Sequence, residues 1–118
     1  MKKMQAIAIF PEILPENLEE FKSVAAKMLI VVQENEAIIR YDMFFTDDST
    51  QCVVLEEYTT PDGVIEHVKK NADLLKRLTK LGGKIQGSIF PLSQEGDAIK
   101  EIKNNWDSKF HTHFLGKI

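Results

Sequence analysis

The chain has 118 residues, of which 43% are hydrophobic and 28% charged, and its formal net charge is -3. These values are typical of one globular domain, and the charge provides no basic field to attract nucleic acid or an anionic membrane. The longest apolar runs are too short to span a bilayer, and the N-terminal segment lacks the cleavage pattern of a signal peptide. The single cysteine, Cys52, cannot form an intramolecular disulfide. We therefore expect a cytoplasmic protein in a reducing compartment.

The first two predicted elements are a strand and a long helix. Residues 4–10 form a short apolar run that ends at Pro11, which indicates a strand. Pro15 is well placed to begin a helix, because proline is favoured at the first helical position. The apolar residues that follow recur at helical spacing and form one stripe: Leu18, Phe21, Ala25, Met28, Leu29 and Val32.

A β-hairpin follows, made of IIRYDMFF, the polar break TDDST and QCVVLEEY. Strict alternation places Ile39, Tyr41, Met43 and Phe45 on one face of its first strand, and Ile38, Arg40, Asp42 and Phe44 on the other. In the second strand, Val53, Leu55 and Glu57 oppose Cys52, Val54, Glu56 and Tyr58. Because both faces carry apolar groups, we expect this sheet to be covered, at least in part, on both sides.

The rest of the chain predicts a broken helix, a strand and a helix–strand extension. Pro61 begins the helix, a break is expected at residues 70–72, and Gly82 and Gly83 end it. Residues 84–92 form the next strand, with Pro91 at an edge or near the strand's own end. Within an extension that covers residues 93–118, we predict a short helix and a last strand over residues 108–115. The fold class is α+β: a ferredoxin-like βαββαβ domain with an antiparallel sheet, spanning residues 1–118.

This pattern resembles the antibiotic biosynthesis monooxygenase-like family of the dimeric α+β barrel superfamily. The resemblance rests on the β-α-β-β order and on the stretches RYDMFF, VVLEEYTTPDGVIEHV and GSIFPLSQEGDAIKEIK. It covers about residues 4–92 and implies a subunit that pairs through its sheet into a barrel, with a pocket between sheet and helices. Members of the family include cofactor-independent oxygenases that act on aromatic or quinol compounds, and haem-degrading enzymes. The chain departs from the haem-degrading branch: its only tryptophan is Trp106, in the extension, and the first strand has no asparagine.

The residues themselves and the resemblance point to several candidate site residues. His67 lies at the border of an apolar helix stripe, where it could move a proton near neutral pH or simply bond a backbone carbonyl. Tyr41 and Tyr58 could hydrogen-bond a ligand, or lie in the sheet with their tips in water. Glu57 shares a face with apolar residues and could be an acid or base, or an ion-pair partner of Arg40.

We take His67, Glu57 and Tyr41 as catalytic candidates, and Tyr58 and Asn71 as substrate-binding candidates. Asn71 stands near the place where a second histidine is common in the family. His111 and His113 form an H-x-H pair, but no third ligand accompanies them in sequence, so we predict a solvated pair and no metal site.

The favoured hypothesis is a cofactor-independent monooxygenase that acts on a small aromatic or quinol-type compound in an apolar pocket, without a tightly bound cofactor. The alternatives are a non-catalytic protein that binds a small hydrophobic molecule, and a structural dimer of the same fold. In each case we expect a homodimer joined sheet to sheet, with no nucleic acid or membrane partner. A monomer would expose one apolar face of the hairpin.

Overall fold

Within residues 3–117, a five-stranded sheet runs through the molecule, and four α-helices pack against one of its faces. The computed structural model describes residues 3–117. The strands are β1 (Met4–Phe10), β2 (Ile38–Phe45), β3 (Cys52–Tyr58), β4 (Gln86–Pro91) and β5 (Lys109–Phe110). The helices are α1 (Leu18–Gln33), which follows a 3-10 turn at Pro15–Asn17, α2 (Pro61–Lys70), α3 (Ala72–Gly82) and α4 (Asp97–Asn105). Among these residues no helix is long and apolar enough to cross a membrane.

The strand order is β2-β3-β1-β4-β5, and the pairs β2–β3, β3–β1 and β1–β4 are antiparallel. This is the predicted ferredoxin-like α+β core. β5 is added at the edge parallel to β4, and α4 connects the two strands. Two parallel strands need such a crossover because a tight turn reverses the chain direction and therefore joins antiparallel strands.

Two apolar clusters fill the space between sheet and helices. The first joins α1 and α3 to the β1–β3 region, with Phe21, Met28 and Leu78 at its centre, and includes the buried Cys52. The second joins α2 and α4 to Met4, Ala6, Tyr58 and Ile89. The predicted break between α2 and α3 is confirmed: Asn71 separates the two helices.

A β-bulge at Ile39 corrects the predicted faces of β2. Ile38 pairs with Tyr58 and Arg40 pairs with Glu57, so Ile39 is an extra residue without a place in the ladder. The bulge resets the alternation and brings Ile38 to the helix side, where it packs against both clusters. Ile39, predicted to share a face with Tyr41, is instead 46% exposed.

The predicted C-terminal strand is shorter than expected. Only Lys109–Phe110 joins the sheet, and the His111 amide donates to the Ile89 carbonyl at 3.0 Å. In a parallel ladder the next bond would come from the amide of Pro91 to the carbonyl of His111, and proline has no N–H. The ladder ends there for this reason, and Phe114 and Leu115 are 86% and 78% exposed.

Candidate functional site

A cavity of about 400 Å³ lies between the helix side of the sheet and helix α2. Its wall is mostly apolar and includes Ala6, Ala8, Val64, Leu75, Ile89 and Trp106. The alanines of β1 leave room above the sheet, and Trp106 brings the C-terminal extension into the wall. Five titratable side chains also line the cavity: Tyr41, Glu56 and His67 lie inside the protein, whereas Lys84 and Asp107 form an exposed ion pair.

His67 enters the cavity because it lies on the buried side of α2, one turn after Val64. We expected this side chain at the border of the apolar stripe, and this expectation is corrected: His67 is only 3% exposed. Its Nε2 lies 3.1 Å from the Tyr41 hydroxyl oxygen, and its Nδ1 lies 3.1 Å from the Asn71 amide nitrogen. Burial lowers the pKa of His67 to about 4, because a charged imidazole would lose its hydration. The ring is therefore neutral at physiological pH.

Tyr41 faces the cavity from β2 and makes two contacts through its hydroxyl group. Besides the contact with His67, the hydroxyl donates to the Met28 sulfur at 3.8 Å. Burial raises the pKa of Tyr41 well above its ordinary value, and the negative charge of Glu56 raises it further. The phenol keeps its proton over the whole physiological range and serves as a donor.

Glu56 was not among the site residues predicted from the sequence. It is 8% exposed, pairs with Ala6 and Tyr41 on the neighbouring strands, and accepts a hydrogen bond from the Tyr58 hydroxyl. Burial raises the pKa of Glu56 to about 7, and the Tyr58 hydrogen bond opposes that rise. A carboxyl group that ionises near neutral pH can both accept and return a proton.

Glu57 does not lie beside His67, which corrects its expected place in the pocket. Consecutive strand residues point to opposite faces, so Glu57 lies on the side of the sheet away from the helices. There it lines a second cavity of about 460 Å³ with Gln5, Phe90 and His111. Arg40 is its cross-strand partner but forms its ion pair with Asp42, at 2.6 Å.

The remaining candidates divide between the two sides of the sheet. Tyr58 and Asn71 are buried on the helix side, Tyr58 against Glu56 and Asn71 against His67. His111 lies on the far side, where its ring stacks on Phe90 with the centroids 4.3 Å apart. Among residues 3–117 no group of three or more His, Cys, Asp or Glu side chains could hold a metal ion.

Solved structures share this fold. MupZ from Pseudomonas fluorescens superimposes with a TM-score of 0.84 at 18% identity, over 100% of this chain and 95% of that one. A protein from Nitrosomonas europaea, provisionally named an antibiotic biosynthesis monooxygenase, gives 0.67 at 16% identity, covering 75% of this chain and 88% of the other. A point mutant of SnoaB, a cofactor-independent oxygenase from Streptomyces nogalater, gives 0.66 at 14% identity, covering 82% and 98%.

No protein-family model and no curated protein matches the sequence. The structural likenesses nevertheless show the fold: the chain shares it with solved structures provisionally named as antibiotic biosynthesis monooxygenases, so the fold that the resemblance implied is confirmed. The three structures described above are 14–18% identical to this chain, and at that level the likeness shows a shared fold.

Proposed function

We propose that the protein is a cofactor-independent monooxygenase that acts on a small aromatic or quinol-type compound in the cavity of about 400 Å³. The observation that carries the proposal is Glu56, a buried carboxyl group whose pKa of about 7 suits a general base in an apolar chamber. The fold shared with SnoaB, named a cofactor-independent oxygenase, supports the same reaction class.

The chemistry assigned to the chain is proton removal followed by direct reaction with O₂. The Glu56 carboxylate takes an acidic proton from the substrate, and the electron-rich anion that remains can reduce O₂. One oxygen atom enters the product, and the other leaves as water with two hydrogens from the substrate. Tyr41, which stays protonated, donates to the oxygen on which negative charge develops.

Oxygen uptake by the purified protein tests this function. The substrate panel contains hydroquinones, naphthols and aromatic compounds with an acidic methylene group, each corrected for spontaneous oxidation. We expect uptake that scales with protein concentration and falls roughly a hundredfold in Glu56→Gln, the usual contribution of a general base. Glu57→Gln is the matched control, because the same change one residue later lies on the other side of the sheet. Binding without uptake for every compound would contradict the proposal.

We further propose that the protein is a homodimer joined through the face of the sheet opposite the helices. No helix of the described residues covers that face, which carries Ile7, Ile9, Phe44, Val53 and Leu55. An exposed apolar patch of this kind usually marks an interface, and twofold pairing would remove both copies of it at once. Because such an interface resembles a bisected core, it should bury more than about 2,000 Å² in total.

A further inference from the structure

The Asn71 side-chain amide has two N–H bonds, and two acceptors lie within hydrogen-bonding distance of its nitrogen. One is the His67 Nδ1 atom and the other is the His67 backbone carbonyl oxygen, each 3.1 Å from the Asn71 amide nitrogen. Both N–H bonds are therefore used on the same histidine, and Nδ1 must offer a lone pair. The proton of the neutral ring is then on Nε2.

The opposite orientation of the Asn71 amide fits this position poorly. It would set the amide oxygen 3.1 Å from the His67 carbonyl oxygen, where neither atom can donate. It would also turn two N–H donors to the place now held by the amide oxygen, which is buried and has no hydrogen-bond partner among residues 3–117. The observed orientation of the amide leaves one acceptor unpaired. The opposite orientation would leave two donors unpaired and would place two oxygen atoms against each other, which costs more free energy.

The Nε2 proton of His67 determines the direction in which the Tyr41 hydroxyl group donates its own hydrogen. With Nε2–H donating to the Tyr41 oxygen at 3.1 Å, that hydroxyl must turn its own hydrogen elsewhere. In the structure the hydrogen goes to the Met28 sulfur at 3.8 Å, and a thioether is only a weak acceptor. A ligand oxygen in the cavity would be a better partner, and the exchange would leave no other group unsatisfied.

We propose that Asn71 is a positioning residue that holds His67 in the Nε2–H tautomer, so that the Tyr41 hydroxyl is directed to an acceptor oxygen on the bound ligand. The ligand side of this inference rests on the proposed function, while the tautomer does not. The arrangement selects compounds whose acidic proton can reach Glu56 while their acceptor oxygen meets Tyr41, because these two residues are direct cross-strand neighbours. It gives His67 the role of a donor and leaves proton removal to Glu56.

Long-range ¹H–¹⁵N correlation spectra of histidine-labelled protein test the tautomer without a substrate. The chain has three histidines, so His111→Gln and His113→Gln variants assign the His67 signals by elimination. We expect a protonated Nε2 and an unprotonated Nδ1 for His67 in the wild type. A protonated Nδ1 in the wild type would overturn the proposal.

Substitution of Asn71 tests its positioning role. In Asn71→Asp a carboxylate replaces the two donors, so the proton should move to Nδ1, whereas Asn104→Asp on the exposed side of α4 should leave the His67 spectrum unchanged. An unchanged His67 tautomer in a folded Asn71→Asp variant would contradict the role. If that variant does not fold, the wild-type spectrum alone decides.

Kinetic measurements distinguish a failure of this inference from a failure of the proposed function. Once a substrate is known, Tyr41→Phe and Asn71→Leu should lower kcat more than they raise KM, Tyr41→Phe by about a hundredfold, as for loss of one donor to a developing oxyanion. Retained kcat in Tyr41→Phe would refute the donor role even if the enzyme is active. If His67 is in the Nε2–H tautomer but the protein takes up no oxygen, the positioning role of Asn71 stands and the proposed function is refuted.

Discussion

Tyr41 and Glu56 lie directly opposite each other across strands β2 and β3, and both side chains face the cavity below helix α2. Burial affects the two groups in the same direction, raising both pKa values, but from very different starting points. Glu56 ionises near pH 7, and the resulting charge makes ionisation of Tyr41 still less favourable. At neutral pH the site therefore combines one carboxyl group that can release its proton with one phenol that keeps it.

The first prediction concerns the stability contribution of Glu56. Between about pH 4.5 and pH 7 the folded protein keeps a proton that the unfolded chain has released, so the raised pKa makes the free energy of unfolding fall as the pH rises. Glu56→Gln removes this loss. Its free energy of unfolding should therefore rise, relative to that of the wild type, by up to about 3 kcal/mol across that pH window. Denaturant unfolding at pH 4.5, 6 and 8 measures the difference. A difference in the free energy of unfolding that stays constant with pH would contradict the buried, shifted carboxyl group.

His67 should show the opposite pH dependence. Its lowered pKa means that, between about pH 4 and pH 6.5, the unfolded chain binds a proton that the folded protein does not. Wild-type stability therefore loses up to about 3 kcal/mol from this residue as the pH falls through that window. His67→Gln removes the loss, so its stability relative to the wild type should rise on acidification, as followed by thermal unfolding. A relative stability that falls on acidification would show that the folded state binds the proton.

The site was only partly predictable from the sequence, and the limit lies in β3. Glu56 and Glu57 are adjacent, and each has apolar neighbours two residues away, so alternation alone cannot decide which one faces the helices. That choice depends on the strand pairing, which sets Ala6 of β1 beside Glu56. A signal was present in the small residues Ala6 and Ala8, which leave space on one face of β1, but it becomes visible only when the register is known.

The fold was easier to predict because its signals are local. The broken helix, the hairpin and the strand ending at Pro91 all follow from spacing, turn residues and proline chemistry. The bulge at Ile39 was missed because an extra residue changes the pairing without any mark in the hydrophobic pattern. Likewise, the length of β5 depends on a missing amide on another strand, which the tail's own alternation does not reveal.

The proposed dimer can be tested by changing the centre of the uncovered face. Leu55 is half-buried there, and Leu55→Lys should split a sheet-to-sheet dimer because a lysine ammonium would lose its hydration in the interface. Light scattering coupled to size exclusion should give about 27 kDa for the wild type, twice the chain mass of 13.5 kDa, and one chain mass for the variant. Leu29→Lys on the exposed side of α1 is the control and should keep the wild-type mass. A wild-type mass near that of one chain would refute the dimer.

The C-terminal tail should be divided into a protected and an unprotected part. The His111 amide is hydrogen-bonded to the Ile89 carbonyl, whereas Phe114 and Leu115 are exposed beyond the end of the ladder. Hydrogen exchange followed by NMR should therefore find slow exchange at His111 and fast exchange at Phe114 and Leu115. Slow exchange at all three amides would contradict this boundary and would indicate that the tail pairs with a second copy of the chain.

The most direct test of the site is the titration of Glu56 itself, observed through the side-chain carboxyl carbons of ¹³C-labelled glutamate between pH 3 and pH 9. We predict one carboxyl resonance with a pKa of about 7 that disappears in Glu56→Gln and persists in Glu57→Gln. That result would place a proton acceptor suited to neutral pH inside the cavity shared with Tyr41 and His67. If instead every glutamate of the wild type titrates near its ordinary value of about 4.3, Glu56 is not the buried base on which the proposed function depends.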